Sequence, residues 1–198
     1  MVNQNINDKK IEIMDAAIKV FKEKGLEKTS IRDIMSESGY GLGTFYLYYL
    51  DKDDLKEKIV LDKSMEIIIN AEKNCYGNNP IERYITFVDY IIDYLISNPF
   101  EFELLNKNIT WALYTKIEND ERLKEADSTL QFILNKYENL FSHTFSESQK
   151  LYILSLTLEI MMSTCKSALM EETILPIEEM KPVLYTIIKK MFIRNGEN

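Results

Sequence analysis

Between residues 39 and 50 the chain reads Gly-Tyr-Gly-Leu-Gly-Thr-Phe-Tyr-Leu-Tyr-Tyr-Leu. If the stretch from Gly43 is helical, Phe45 and Tyr49 stand one turn apart on the inward side. Leu42, Thr44, Tyr46, Leu47 and Tyr48 then point outward. A surface of Leu and Tyr does not suit an ordinary water-facing helix, but it suits a polyanion with apolar base edges. Tyr hydroxyls reach phosphate oxygens, and Thr and Leu side chains can touch thymine methyl groups. The glycines let backbone amides at the helix N-terminus approach a phosphate, where the helix dipole favours negative charge. About seven residues give a helix roughly 10 Å long, which fits a major groove about 12 Å wide.

Other chemistries find less support. The Gly-x-Gly-x-Gly run at 39–43 follows a helical pattern and not a strand, so it fails the context test for a dinucleotide-binding turn. There is no Ser/His/Asp set and no nucleophile elbow. One His and two Cys 90 positions apart give no metal-ligand spacing. His143, in Phe-Ser-His-Thr-Phe, reads as a surface or cap residue, and Glu101 with Glu103 reads as solvated surface. Cys75 and Cys165 read as reduced thiols. Neither a metal nor a cofactor is called for.

Those residues need a scaffold, and nearly every segment has helical periodicity. Ile11, Met14, Ile18 and Phe21 form one apolar stripe, with Asn7 or Asp8 as start cap and Gly25 as stop. A short helix follows from Thr29 or Ser30, with Ser30 and Asp33 in capping-box spacing, and ends at Gly39. Asp51 caps a long helix from Lys52 to about Asn74. Pro80 opens another that runs to Ser97, and Asn98-Pro99 restarts a helix carrying Leu104, Leu105, Ile109, Trp111 and Ala112. Further helices are expected over about 121–142, from Ser146 through Leu169, and from Pro176 or Ile177 to Arg194. The fold class is all-α. Residues 1–51 form a three-helix helix-turn-helix domain. Residues 52–198 form a larger helical domain, with the helix from Lys52 as connector.

The chain of 198 residues is 45% hydrophobic and 28% charged, ordinary globular values. No apolar run approaches the roughly 18 residues of a membrane span. The polar N-terminus does not read as a signal peptide, so a cytoplasmic protein is expected. The net charge of −8 argues against a nucleic-acid partner when taken alone. It is unevenly spread: residues 1–58 hold 10 basic and 11 acidic side chains, residues 59–198 hold 14 and 21. The acidic excess therefore lies outside the first domain.

The stretch from Lys28 to Leu55 resembles the DNA-binding domain of TetR-type (TetR/AcrR) transcriptional regulators. Thr29, Ile31, Ile34, Gly39, Gly43, Phe45, Tyr46, Tyr49, Lys52 and Leu55 agree at fixed spacing, and the preceding helix with Phe21 and Gly25 fits the same pattern. The resemblance covers about residues 8–58. It implies that the helix at Gly43 is the recognition helix and that Thr44, Tyr46 and Tyr48 contact DNA. It implies that Leu42 and Leu47 help set sequence preference and that Lys52 binds a phosphate. Thr29, Ser30 and Arg32 would lie where the second helix meets the backbone. Gly41 departs from the pattern, standing where the family usually has a Ser or Thr N-cap.

The resemblance also implies that the larger domain dimerises and binds a small effector. The helix after Ser146 is apolar on more than one face, which calls for cover on both sides. Ile153, Leu156, Ile160, Leu184, Ile188 and Met191 are the expected interface of a four-helix dimer contact. Phe87, Phe102, Trp111, Tyr114, Met161, Met162 and Cys165 are the expected pocket set, with Phe132 a further aromatic. An apolar or flat aromatic effector would suit them. The expectation is a homodimeric repressor, not an enzyme, that leaves a palindromic double-stranded operator when its effector binds. The rival reading is an all-α small-molecule-binding protein or enzyme with an apolar pocket and no DNA role. Twenty Lys against four Arg, with abundant Ile, Asn and Tyr, suggest an AT-rich bacterial genome.

Overall fold

The computed structural model describes residues 2–115, 126–141, 145–170 and 173–192, with the side chains of 2–7 and 109–111 left aside. The described residues form ten α-helices and no strand. They fall into two compact units, Met1–Asp62 and Lys63–Asn198. The division lies inside the helix that the sequence assigns as connector.

The first unit contains α1 (Val2–Lys24), α2 (Ile31–Ser38), α3 (Leu42–Phe45) and the start of α4 (Lys52–Asn74). α1 begins before Asn7 and Asp8, because Val2–Ile6 hold neither Pro nor Gly and nothing forces the backbone out of helical dihedrals. It stops at Gly25, whose φ of 83° is left-handed. α2 carries a complete capping box. The Ser30 hydroxyl accepts from the Asp33 amide, and the Asp33 carboxylate accepts from the Ser30 amide at 2.9 Å. Asp51 caps α4 by accepting from the Asp54 amide at 2.9 Å. Ile13, Ala17, Phe21, Ile34, Phe45, Leu55 and Ile59 fill this unit's core.

The second unit contains the rest of α4, then α5 (Pro80–Ser97), α6 (Pro99–Asn106), α7 (Ile109–Tyr114), α8 (Thr129–Tyr137), α9 (Glu147–Ala168) and α10 (Ile177–Met191). The single helix expected after Pro99 is two. The Asn108 side chain donates to the Leu104 carbonyl at 2.9 Å, and its own amide bonds back only three residues, to Leu105. Asn competes locally for backbone partners and so breaks the α-ladder. α8 starts at Thr129, later than expected, because Ser128 caps it by accepting from the Gln131 amide at 3.2 Å. Residues 121–125, Ser142, His143 and Arg194, on which parts of those expectations fall, lie outside the described residues.

The second core centres on Tyr84, Phe87, Ile92, Leu154 and Leu158. Inside it the Tyr84 and Thr157 hydroxyls meet at 2.5 Å, which pairs two polar atoms that burial would otherwise penalise. Lys181 of α10 sits between Asp89 and Asp93 of α5, at 2.6 and 2.5 Å, and the Tyr185 hydroxyl also donates to Asp89. Glu101 corrects one expectation: it is 7% exposed and accepts from the Tyr94 hydroxyl. Only Glu103, paired with Lys107 at 3.0 Å, is at the surface. Glu101 lies in the first turn of α6, where the helix dipole favours a carboxylate. Cys75 and Cys165 are free and buried, and burial pushes the Cys165 thiol up to about 12. Among the described residues no group of His, Cys, Asp and Glu could hold a metal, and no helix is long and apolar enough to cross a membrane.

Candidate nucleic-acid interface

Residues 42–49 form the tightest link between sequence and surface in the first unit. α3 is a single turn, shorter than the seven residues expected. After Phe45 the chain continues with the Leu47 and Tyr48 amides bonded three residues back, to Thr44 and Phe45. Gly41, at the N-cap, has no side chain to accept from the first amides, so the helix lacks a cap that would help extend it. The Tyr49 amide returns to four-residue spacing, bonding to the Phe45 carbonyl at 3.0 Å.

Two side chains anchor this segment. Phe45 and Tyr49 are 0% and 2% exposed, with ring centroids 5.5 Å apart. Burying each contributes on the order of 2 kcal/mol. The Tyr49 hydroxyl donates to the Lys10 carbonyl of α1 at 3.0 Å, and burial raises its pKa well above the usual phenol range. The Lys58 ammonium lies 5.2 Å from the Tyr49 ring centroid. Tyr40, at the α2–α3 turn, donates to Glu12 of α1.

The outward set lies where the spacing predicts. Tyr46 is 59% exposed and Leu47 76%; Leu42 is also exposed, and Thr44 and Tyr48 are half-buried. Tyr46 packs edge-on against Phe45, centroids 5.3 Å apart, which restrains its ring at the surface. Gly41 and Gly43 are exposed, and a Cβ at either would meet no atom within 4 Å. Leu50 escaped the sequence reading. It is 83% exposed, and its amide is held by Asp54 at 2.8 Å. The available signal was a Leu three positions beyond Leu47 and off the Phe45–Tyr49 stripe.

The flanking candidates divide. Ser30 and Arg32 are exposed. Thr29 is not a surface residue. It is 3% exposed, and its hydroxyl donates to the Gly25 carbonyl at 2.8 Å, satisfying an acceptor that the helix stop leaves open. Lys52 turns inward as well, donating to the Leu26 and Thr29 carbonyls at 3.0 and 3.1 Å. It ties the α1–α2 loop to the start of α4 with two of its three N–H groups. The neighbouring lysines are paired: Lys19 with Glu37, Lys24 with Asp33, Lys56 with Asp53 and Lys58 with Asp54. Hydrogen bonds from Lys24 and Ser30 hold the Asp33 carboxyl far below the usual carboxylate range.

In the second unit, Phe87, Phe102, Phe132, Met161, Met162 and Cys165 are all buried, and Tyr114 is exposed. Trp111 lies in α7 with its side chain outside those described. Of the expected interface set, Ile153, Leu156, Ile160 and Met191 are half-buried. Leu184 and Ile188 are 4% and 0% exposed and pack within the chain's own core. α10 carries two apolar stripes, and spacing alone does not say which one the core takes. Val183 and Ile187 are the outward ones, 55% and 49% exposed. They line a shallow groove of about 340 Å³ between α9 and α10, together with Ile160, Thr164, Ile174 and Met180.

Comparison with known proteins agrees with this geometry. Residues 13–59 match the model of bacterial regulatory proteins of the tetR family. An uncharacterised HTH-type transcriptional regulator of Bacillus subtilis, YvdT, is 30% identical over 120 residues, 61% of this chain. That match spans 58% of the relative's length. Two solved structures share the fold. A TetR transcriptional regulator from Rhodococcus sp. RHA1 has a TM-score of 0.68 at 15% identity, over 98% of this chain and 100% of that one. A TetR-family regulator from Syntrophomonas wolfei has a TM-score of 0.63 at 22% identity, over 96% and 97%. Residues 13–59 thus match the tetR family of bacterial regulatory proteins, and the chain as a whole shares the fold of these two solved regulators.

Proposed function

We propose that the protein is a homodimeric, sequence-specific DNA-binding transcriptional regulator, a repressor released from a palindromic operator by a small apolar or aromatic effector. The observation that carries this reading is the two-sidedness of residues 42–49. Phe45 and Tyr49 are locked into the core while Leu42, Tyr46 and Leu47 stand at the surface. Exposing large apolar side chains on a segment so firmly anchored makes sense if a partner covers them.

In this reading Leu42, Thr44, Leu47 and the Gly43 backbone meet base edges, and Tyr46 and Tyr48 meet phosphates. Gly41, Ser30 and Arg32 border the contact. Lys52 offers its remaining N–H to a phosphate, and Thr29 acts from within as a positioning residue. Residues 1–51 supply the DNA-binding domain, and residues 52–198 bind effector and dimerise, with α4 as connector. Ile153, Leu156, Ile160, Val183, Ile187 and Met191 of two protomers form the dimer contact. The two-fold axis then sets the recognition segments on successive major grooves.

Phe87, Phe102, Met161, Met162 and Cys165 are packed core, so an effector lodged among them has to separate side chains already in contact. It releases DNA only through a higher affinity for the non-binding arrangement. The protein performs no catalysis and acts in the cytoplasm. Selection of bound duplexes from a random pool tests the proposal. Enrichment of a palindrome supports it. Absence of enrichment by a folded dimer, with and without candidate effectors, overturns it.

A further inference from the structure

A small cavity in the second unit has the wrong charge for its surroundings. It lies where the end of α4, the start of α5 and the end of α8 meet, with a volume of about 150 Å³. Glu72, Pro80, Arg83, Lys136, Tyr137 and Asn139 line it. Two of its three charged side chains are cationic, although residues 59–198 carry 21 acidic against 14 basic groups. Glu72 already faces Lys136, across 3.5 Å. Among the described residues the Arg83 guanidinium pairs with no carboxylate; it donates to the Cys75 sulfur, at 3.5 Å. Glu82, next in sequence, is turned away to accept from the Asn78 amide at 2.8 Å.

The walls are built and not incidental. Gly77 has a φ of 152°, and a Cβ there would come within 2.6 Å of the Glu82 side chain and 2.7 Å of the Arg83 nitrogen. Only glycine lets the α4–α5 loop lie this close to the first turn of α5, and that approach sets Arg83 beside Cys75. On the far side the Tyr137 hydroxyl donates to the same sulfur at 3.5 Å, and its ring packs on Tyr84 and Phe87, centroids 5.0 and 5.2 Å away. One wall is thus anchored in the core. An arginine whose other N–H groups have no partner among the described residues, the Lys136 ammonium of α8 and a partly apolar floor of Pro80 and the Tyr137 ring suit an oxyanion. A cavity of this size accommodates a ligand of roughly six heavy atoms.

We propose that this cavity binds a small oxyanion, a phosphate or a short-chain carboxylate, between Arg83 and Lys136. The bound anion takes Lys136 from Glu72 and places its charge against the Arg83 fork. The assignment is independent of the DNA-binding reading and stands or falls by binding alone.

The test uses the full-length ¹⁵N-labelled protein. The Arg83 Nε–Hε resonance, identified by its loss in Arg83→Gln, is followed during titration with sodium phosphate or sodium butyrate at fixed ionic strength. Sodium chloride is the control. A saturating shift with phosphate alone identifies the ligand as a phosphate, with butyrate alone as a carboxylate, and with both as either. In each case Lys136→Gln weakens the apparent affinity about tenfold, as expected for loss of one charged hydrogen-bond donor. Both replaced side chains are at the surface, so the variants keep the fold. A shift no larger than with chloride, or one equal in Lys136→Gln and the parent protein, overturns the proposal.

Discussion

The Tyr49 hydroxyl donates to the backbone carbonyl of Lys10 across 3.0 Å, tying the segment that exposes Tyr46 and Leu47 to the first helix of the domain. This segment is too short to hold itself in place by helical hydrogen bonds, since α3 is only four residues long. Its position therefore depends on the two anchors, Phe45 by packing and Tyr49 by packing and this bond. Tyr49→Phe keeps the ring and removes the bond. It should lower unfolding stability by about 1 kcal/mol, read as a drop in the urea midpoint with an unchanged slope.

Gly41 leaves α3 without a side-chain cap, yet its φ of −69° and ψ of 151° suit any residue, and a Cβ meets nothing within 4 Å. Gly41→Ser should therefore gain a cap and lose unfolded-state freedom, raising stability by about 0.5 kcal/mol. Thermal unfolding measures this. A fall in the midpoint would mean that the amide end of α3 has no room for a capping side chain.

Asp33 sets a pH dependence with a definite sign. Its folded carboxyl is held far below the ordinary value by Lys24 and Ser30, so the unfolded chain takes up this proton first as pH falls. The stability it contributes is complete above about pH 4 and is lost progressively at lower pH. Urea midpoints measured from pH 6 to pH 3 should fall less steeply for Asp33→Asn than for the parent protein. Equal slopes would remove the capping box from the acid response.

How much of this was legible in the sequence varies by kind of feature. The capping pair Ser30–Asp33, the Asp51 cap, the Asn98-Pro99 break and the stop at Gly25 were legible because each is decided by a few adjacent residues. The inward and outward division of residues 42–49 was legible because a one-turn spacing has only one consistent solution. Lys52 was not: its inward turn toward Leu26 and Thr29 follows from carbonyls left open 26 and 23 positions earlier. Nor was the choice between the two stripes of α10, where Leu184 and Ile188 went to the core and Val183 and Ile187 to the surface. That choice depends on which face α5 and α9 cover, a tertiary fact. The burial of Glu101 depends on Tyr94, a partner in the preceding helix.

Charge pairing bears on how DNA binding should respond to salt. Lys19, Lys24, Lys56 and Lys58 face carboxylates, and Lys52 faces carbonyls. Half of the ten basic side chains of residues 1–58 are thus engaged within the protein, which reduces the number that displace counterions from DNA. The slope of log affinity against log salt should be about 3 or less in magnitude, against roughly 5 to 9 for a binder that neutralises 6 to 10 phosphates. Fluorescence anisotropy on a selected duplex at several salt concentrations measures it, and a steep slope would contradict a contact made mainly by tyrosine, threonine and backbone.

The central claim is that the exposed face of residues 42–48 touches DNA while its buried face holds the domain together. The affinity of the Tyr46→Ala/Tyr48→Ala variant for a duplex selected by the parent protein tests it most directly, with dimerisation and thermal unfolding measured on the same sample. Loss of about 100-fold in affinity, the scale of two lost hydrogen bonds to charged groups, is predicted with the dimer and its unfolding midpoint nearly unchanged. An unchanged affinity would contradict the account.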